Sequence, residues 1–376
     1  MTGVTSVAFH VDQLFFSVPG GIGTYVRELP PALARGDPAL DLRLFHSRFE
    51  DARPEPWTRE FQVEQLPASI RRLYPSWDLT GRPALPASLR EVGIIHATNH
   101  AAIPPAGAAQ RLVVTVHDLA FEYFPELFPR EWRWLYKAGL RAAVRRADAI
   151  ITPSRNTAED LVSRTKVRPD RLHVVPLAAS LDEGGAEPRE VLDRLRVPAP
   201  YVLFVGTLEP RKNLVRLVRA YRRVAGSRSS HALVLAGGMG WHSSELLREL
   251  ALSGPGNVVL TGALSPSDLD AVYRGAAAFV LPSIYEGFGL PALEAMARGV
   301  PTIASSGSSI PEVTGDAAIA VDPRSVVEIA DAIELVLRDA ELAARLAKRG
   351  RARAERFSWD ETARRTLQVY EKALRG

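Results

Sequence analysis

The 376-residue chain contains no cysteine, which excludes disulfides, thiolate metal sites and a cysteine nucleophile. No stretch approaches the roughly 20 uncharged apolar residues that a membrane-spanning helix needs. Met1 to His10 shows no basic start followed by an apolar run, so no secretory signal is expected. These absences point to a soluble, cytoplasmic protein. Lysine is scarce: Lys137, Lys166, Lys212, Lys348 and Lys372 are the only five, and arginine supplies the rest of the 47 cations. Against 43 acidic residues the net charge is only +4, too little to argue for nucleic acid. The cations are nevertheless concentrated, at Arg71-Arg72 and between Arg130 and Arg146. With 46% hydrophobic and 24% charged residues the composition is that of a folded globular protein, and disorder is excluded.

What is present is alternation. Short apolar, β-branched runs recur, each followed by a helical pattern. In the first half they are Val4–Val11, Leu42–Phe45, Ile94–His96, Leu112–Val116, Ala149–Ile151 and Leu172–Val175. In the second half they are Tyr201–Val205, Ala232–Leu235, Val258–Leu260, Ala278–Leu281, Thr302–Ala304 and Ala318–Val321. Runs of this kind between helices predict parallel sheets buried on both faces, in α/β layers that are doubly wound. Twelve strands are too many for one compact sheet. The region 178–200, with Gly184-Gly185, Pro188, Pro198 and Pro200 and no buried strand, is the expected boundary. Ligands in such folds sit beyond the carboxyl ends of the strands.

Three segments lie at such ends. The first is Pro282 to Glu294. Pro291 suits the first position of a helix, which leaves the amides of Phe288, Gly289 and Leu290 at the helix start as an anion site suited to a diphosphate. Glu286 precedes the turn and Glu294 lies about one helical turn beyond it, and carboxylates are strong acceptors for vicinal sugar hydroxyls. Taken alone, the same pattern is also an ordinary strand–turn–helix. The second is Gly206 to Asn213, where Arg211 and Lys212 follow a strand and suit the charge of a diphosphate leaving group. Asn213 reads as the cap of the next helix, and two surface cations beside a cap would look the same. The third is Pro19-Gly20-Gly21-Ile22-Gly23, a glycine turn opening a helix. It is not a complete dinucleotide fingerprint and serves equally well as a plain turn. His117-Asp118 ends a strand and offers a hydroxyl-binding or a structural histidine. Asp268-x-Asp270 falls inside a helix capped by Ser265, so no metal ion is expected.

These segments, with Gly299 to Ser305 and Pro311-Glu312-Val313 beyond them, resemble family 4 of the retaining glycosyltransferases in kind and in order. The resemblance covers nearly the whole chain. It implies the GT-B fold, an α/β architecture of two Rossmann-like doubly wound parallel-sheet domains facing across a cleft. They would be an acceptor-binding domain over residues 1–183, to which the final helix, 357–376, returns, and a nucleotide-sugar-binding domain over residues 184–356. Carried over by position, Glu286 binds the donor sugar's hydroxyls, Glu294 the ribose hydroxyls, and Arg211 and Lys212 the diphosphate, helped by the amides of Phe288, Gly289 and Leu290. Gly21 approaches the β-phosphate, His117 contacts the sugar, and Ala263 and Leu264 line the base pocket. Thr207 stands where many members carry arginine, which leaves the division of labour between Arg211 and Lys212 open. The implied chemistry is metal-independent transfer with retention, by front-side attack, from a nucleotide-sugar co-substrate and with no further cofactor. The sequence is similar to bacterial mannosyltransferases using GDP-mannose; UDP-sugar branches share nearly the same motifs. A glycan or lipid-linked acceptor is expected, and no nucleic acid. A nucleotide-sugar epimerase and a nucleotide-binding pseudoenzyme are the alternatives.

The segment Arg130 to Arg141 reads as a helix with aromatic and basic faces. Two readings stand: Trp132 or Trp134 packs into the first domain, or the helix touches an anionic membrane surface, at the inner face of the plasma membrane.

Overall fold

Apolar runs that alternate with amphipathic helices have one stable arrangement, a parallel sheet with helices on both faces. The computed structural model describes residues 6–50, 55–181, 187–226 and 231–376. The chain divides into two units, one formed by Met1–Leu177 with Ser358–Gly376 and the other by Ala178–Phe357. The Gly184-Gly185 pair and the expected boundary at 183/184 lie outside the described residues.

The first unit holds seven parallel strands: β1 (Ser6–His10), β2 (Asp41–His46), β3 (Gln62–Gln65), β4 (Ile94–Ala97), β5 (Arg111–Thr115), β6 (Ala149–Thr152) and β7 (Leu172–Val174), in the order β3-β2-β1-β4-β5-β6-β7. The second unit holds six: β8 (Tyr201–Val205), β9 (Ala232–Ala236), β10 (Val258–Gly262), β11 (Ala278–Leu281), β12 (Thr302–Ser305) and β13 (Ile319–Val321), in the order β10-β9-β8-β11-β12-β13. Both sheets reverse direction of winding once, at β1/β4 and at β8/β11. These are the switch points where ligands of doubly wound sheets bind. Strand β3 was not expected: it is a polar, largely exposed strand at the sheet edge.

The central strands of the second unit, β8 and β9, are buried at every position. Helix Leu214–Ala225 covers them with Leu214, Leu217, Val218, Tyr221 and Val224, the spacing of a single helical stripe. Each such side chain contributes about 1.5–3 kcal/mol by leaving water.

The last helix, Trp359–Arg375, belongs to the first unit and packs on helix Gly20–Gly36. Ser358 caps it by accepting from the Glu361 amide, with Asp360 and Glu361 in the first turn, where negative charge suits the helix dipole. Tyr370 anchors it: the hydroxyl lies 2.6 Å from His96 Nδ1, His96 Nε2 lies 2.8 Å from Thr115 Oγ1, and Thr115 Oγ1 lies 2.9 Å from the Tyr25 hydroxyl. Burial pushes the His96 imidazole down to about 3, so this histidine is a neutral structural link.

Helix Arg130–Arg146 turns Ala138, Gly139, Leu140, Ala142 and Ala143 inward. Trp132 and Trp134 are 39% and 51% exposed; the Trp132 ring lies 5.8 Å from that of Tyr136, so neither is the core residue that one reading of the sequence expected. Gly139 lies so close to the His100 carbonyl that an added Cβ would come within 1.9 Å of its oxygen. Gly139→Ala is therefore expected to destabilise the protein by about 1–3 kcal/mol or more. Thermal denaturation checks this, and an unchanged melting temperature would contradict the contact.

Candidate active site

At the β8/β11 switch point the chain makes two abrupt turns. After β8, Gly206 adopts φ 147° and Gly237, after β9, adopts φ 150°. A Cβ on Gly237 would sit 2.0 Å from the Gly206 carbonyl oxygen, so only glycine lets these strand ends touch. The chain then runs through a short 3-10 turn, Pro210–Lys212, into Asn213 at φ 62°. Asn213 sits at the expected cap position but does not cap with its side chain. Its amide instead donates to the carbonyls of Pro282 and Pro323, at 2.9 and 2.6 Å, tying the β8 turn to the segment after β11.

This tie brings Arg211, Lys212 and Glu286 together. Lys212 Nζ lies 2.6 Å from Glu286 Oε1, and Arg211 Nη1 lies 2.9 Å from Glu286 Oε2. Arg211 Nη1 also donates to the Tyr285 carbonyl, and Nη2 lies 2.6 Å from Glu209 Oε1. Ser283 donates to Glu286 Oε1 at 2.6 Å. The Glu286 backbone is held as well: its amide donates to Ser308 Oγ and its carbonyl accepts from Ser309 Oγ. Ser308 is itself held at φ 54°, the kind of backbone strain that accumulates at functional sites.

All four charged groups are buried or nearly so. Burial raises the Glu286 carboxyl, but the Lys212 ammonium and Arg211 guanidinium, with the bonds from Lys212 and Ser283, outweigh it and hold it at about 2. Glu286 is therefore a permanent anion at working pH. It can accept hydrogen bonds but cannot serve as a general acid.

The helix that follows runs Leu290–Ala297, with Gly289 before it at φ 100°. Leu290 takes its first position and Pro291 the second, one residue later than expected; the proline still loses no intrahelical bond there. Phe288, Gly289 and Leu290 sit at the amide-bearing start of this helix and are buried, with Phe288 edge-on to Phe357 at 5.9 Å. Glu294, in the helix, accepts from the buried Tyr273 hydroxyl at 2.9 Å. Arg298 stacks over that ring at 4.9 Å and bonds Asp270. Thr207 follows β8, and Ala263 and Leu264 follow β10, all at the same carboxyl edge and accessible. Ser265 caps helix Pro266–Arg274 by accepting from the Asp268 amide.

Gly21 and His117 belong to the first unit. Gly21 lies exposed in the first turn of helix Gly20–Gly36. His117 follows β5; its Nε2 lies 2.8 Å from the Thr98 carbonyl oxygen. Since a carbonyl only accepts, Nε2 carries the proton. Burial pushes this imidazole down to about 4, so it is neutral and Nδ1 is its acceptor atom.

Residue-type reasoning missed Glu209, Ser283, Ser308, Ser309 and Tyr273. Glu209 adjoins the Arg211-Lys212 pair in the sequence, and that proximity was a usable signal. The others carry no local signature.

The site can be compared with known proteins. A family model described as glycosyl transferases group 1 matches residues 194–353, and one described as glycosyltransferase family 4 matches residues 19–183. O-antigen chain mannosyltransferase B of Escherichia coli is 32% identical over 368 residues, covering 93% of this chain and 96% of that protein. This chain is a family 4 glycosyltransferase. The MMP α-(1→4)-mannosyltransferase of Mycolicibacterium hassiacum is 30% identical over 359 residues, covering 90% of this glycosyltransferase and 85% of the relative. In fold it is similar to Anabaena HepE, solved in complex with UDP and glucose: TM-score 0.74 at 18% identity, covering 98% of this chain and all of that one. Its fold is thus GT-B. Among the described residues no helix is long and apolar enough to cross a membrane.

Proposed function

We propose that this glycosyltransferase moves a hexose, in the first instance mannose from GDP-mannose, to a hydroxyl of a glycan or lipid-linked acceptor. Transfer proceeds with retention and without a metal ion. The observation that carries this reading is the Arg211–Lys212–Glu286 cluster beside the start of helix Leu290–Ala297. Two fixed cations and a helix N-terminus suit the charge that a diphosphate gathers as it departs. The mannose assignment draws on the two relatives named as mannosyltransferases.

In the reaction the anomeric carbon–phosphate oxygen bond breaks and its electron pair stays on the diphosphate. The acceptor oxygen bonds the same face, and its proton passes to the departing diphosphate oxygen. Arg211 and Lys212 are already held in place by Glu209 and Glu286, so little reorganisation accompanies the charge transfer. Glu286, whose carboxylate already accepts from Lys212, Ser283 and Arg211, accepts from one donor-sugar hydroxyl at Oε2, and Glu294 accepts from the ribose. The amides at 288–290 and Gly21 approach the phosphates, His117 accepts a sugar hydroxyl at Nδ1, and Thr207, Ala263 and Leu264 border the nucleoside. Trapping a glycosyl-enzyme adduct by mass spectrometry would overturn the front-side route.

Thermal stability against GDP, UDP, ADP and dTDP, each with and without EDTA, tests the donor. Saturation at 100 times the dissociation constant stabilises by about 2.7 kcal/mol. A shift with GDP alone, unchanged by EDTA, is expected. Glu294→Ala should weaken nucleotide binding by about 1–3 kcal/mol, the worth of lost bonds to a charged acceptor. A shift with UDP alone would replace the donor, and no shift with any nucleotide would remove the reading.

A further inference from the structure

The last helix, Trp359–Arg375, runs against the direction of the strands. Near its start Thr362 donates to the Pro176 carbonyl, just past the end of β7. Near its end the Ala373 carbonyl accepts from Arg111, the first residue of β5. Strand β7 is the edge of the seven-stranded sheet, and between it and one flank of the helix lies a groove of about 560 Å³, a volume typical of small-molecule sites. We propose that this groove binds a small anion built on a chain of phosphoryl groups, and that the anion clamps the last helix to β7.

The helix side of the groove carries Arg364, Arg365, Lys372 and Arg375. Arg364 and Arg365 share one carboxylate, Glu361, and Arg375 takes Glu371, so the positive charge is only partly cancelled. Among the described residues Lys372 makes no ion pair. The three arginines are exposed, where such pairs hold little energy and give way to an anion that accepts from several cations at once. The strand side adds donors of its own. His173 is half-buried there, and burial and the Lys372 ammonium push its imidazole down, so an anion set between the two relieves both groups. The Val175 amide donates to the Thr152 carbonyl of β6. Backbone groups alternate along a parallel ladder, so the Val174 amide points off the sheet edge, where no further strand follows. From Arg364 to Arg375 the cations extend along roughly 16 Å of helix, which favours an elongated anion over a single phosphate. No Phe, Tyr or Trp lines the groove, so a nucleotide base finds nothing to stack on and the phosphoryl chain itself is what is recognised.

Tripolyphosphate added to the full-length protein is the probe, followed by the ring resonances of ¹⁵N-labelled histidine. The His173 signal is identified by its loss in His173→Gln. It should move saturably, with tripolyphosphate binding more tightly than orthophosphate and ATP no more tightly than tripolyphosphate. Lys372→Gln and Arg365→Gln should each weaken binding about tenfold, the worth of a hydrogen bond to a charged group. Arg71→Gln, an equal change of charge on another helix, should leave it unchanged. Thermal melts confirm that the variants are folded, and amide exchange in residues 359–375 should slow in the complex. A His173 signal that stays in place would overturn the proposal, as would equal weakening by Arg71→Gln, the mark of general charge attraction. Tighter binding of ATP would overturn the phosphoryl-chain assignment, and unchanged exchange would overturn the clamp. Polyglutamate that moves His173 where tripolyphosphate does not would assign the groove to an acidic protein segment and overturn it too. The groove lies wholly in the first unit, so none of these outcomes touches the donor reading.

Discussion

Lys212→Ala is expected to lower kcat by about a hundred- to a thousandfold with a much smaller change in donor KM. The magnitude is that of removing one preorganised group from a site of developing negative charge, roughly 2.7–4 kcal/mol. The split between kcat and KM follows because the diphosphate carries more charge on its departing oxygen in the transition state than in the bound donor. A second signature belongs to the geometry. Lys212 is one of the two cations that hold the Glu286 carboxyl at about 2. Without it, burial regains influence and the carboxyl rises. Activity of the variant should then fall as the pH drops through that raised value, in a range where the parent enzyme stays flat. Steady-state kinetics across pH, with the donor chosen from the nucleotide screen, measure both. A loss of kcat under about tenfold would mean that the leaving group is stabilised elsewhere.

Asp78→Asn is expected to stabilise the protein at pH 8 and to have little effect at pH 4. Asp78 lies 3% exposed between helices Ile70–Thr80 and Arg130–Arg146 of the first unit. One carboxylate oxygen accepts from the Ile103 amide and the other has no hydrogen-bond partner. Burial raises the carboxyl to about 7, against the smaller opposing pull of the Ile103 amide and Arg146. A raised value in the fold means that the folded state holds its proton more tightly than the unfolded chain does. Stability is therefore fully present below about pH 4 and declines as the pH rises to about 7. Above that, the deficit reaches at most roughly 4 kcal/mol, at 1.36 kcal/mol per tenfold change in proton affinity. An amide of the same shape removes the ionisation. Denaturant unfolding at the two pH values checks the prediction, and an equal loss of stability at both would show a carboxylate that the fold holds ionised.

The strands were legible because they are buried on both faces: Tyr201–Val205 and Ala232–Ala236 have no polar residue to obscure them. Strand β3 escaped for the opposite reason. Gln62–Gln65 sits on the sheet edge, and three of its four residues are exposed, so it presents no apolar period. In the candidate site, Arg211, Lys212 and Glu286, which the fold brings together, stood out in the sequence as candidates by their residue types and their place after strands. Their mutual pairing was not legible, since the separation of 74 positions from Lys212 to Glu286 is closed by strand order and by the Asn213 bridge. Asn213 itself misled. Its amide made a cap plausible, while the left-handed backbone turned the side chain to two carbonyls instead. The serines that hold Glu286 are ordinary surface-type residues until the fold buries them.

The first unit is completed by residues 358–376, which are made only after the whole of the second unit. During synthesis Tyr370 is still missing when β4 and β5 are already available, so His96 lacks one partner and helix Gly20–Gly36 one flank. The second unit, encoded without interruption, can close first. Deleting the last helix would accordingly injure the part of the molecule built from the opposite end of the chain.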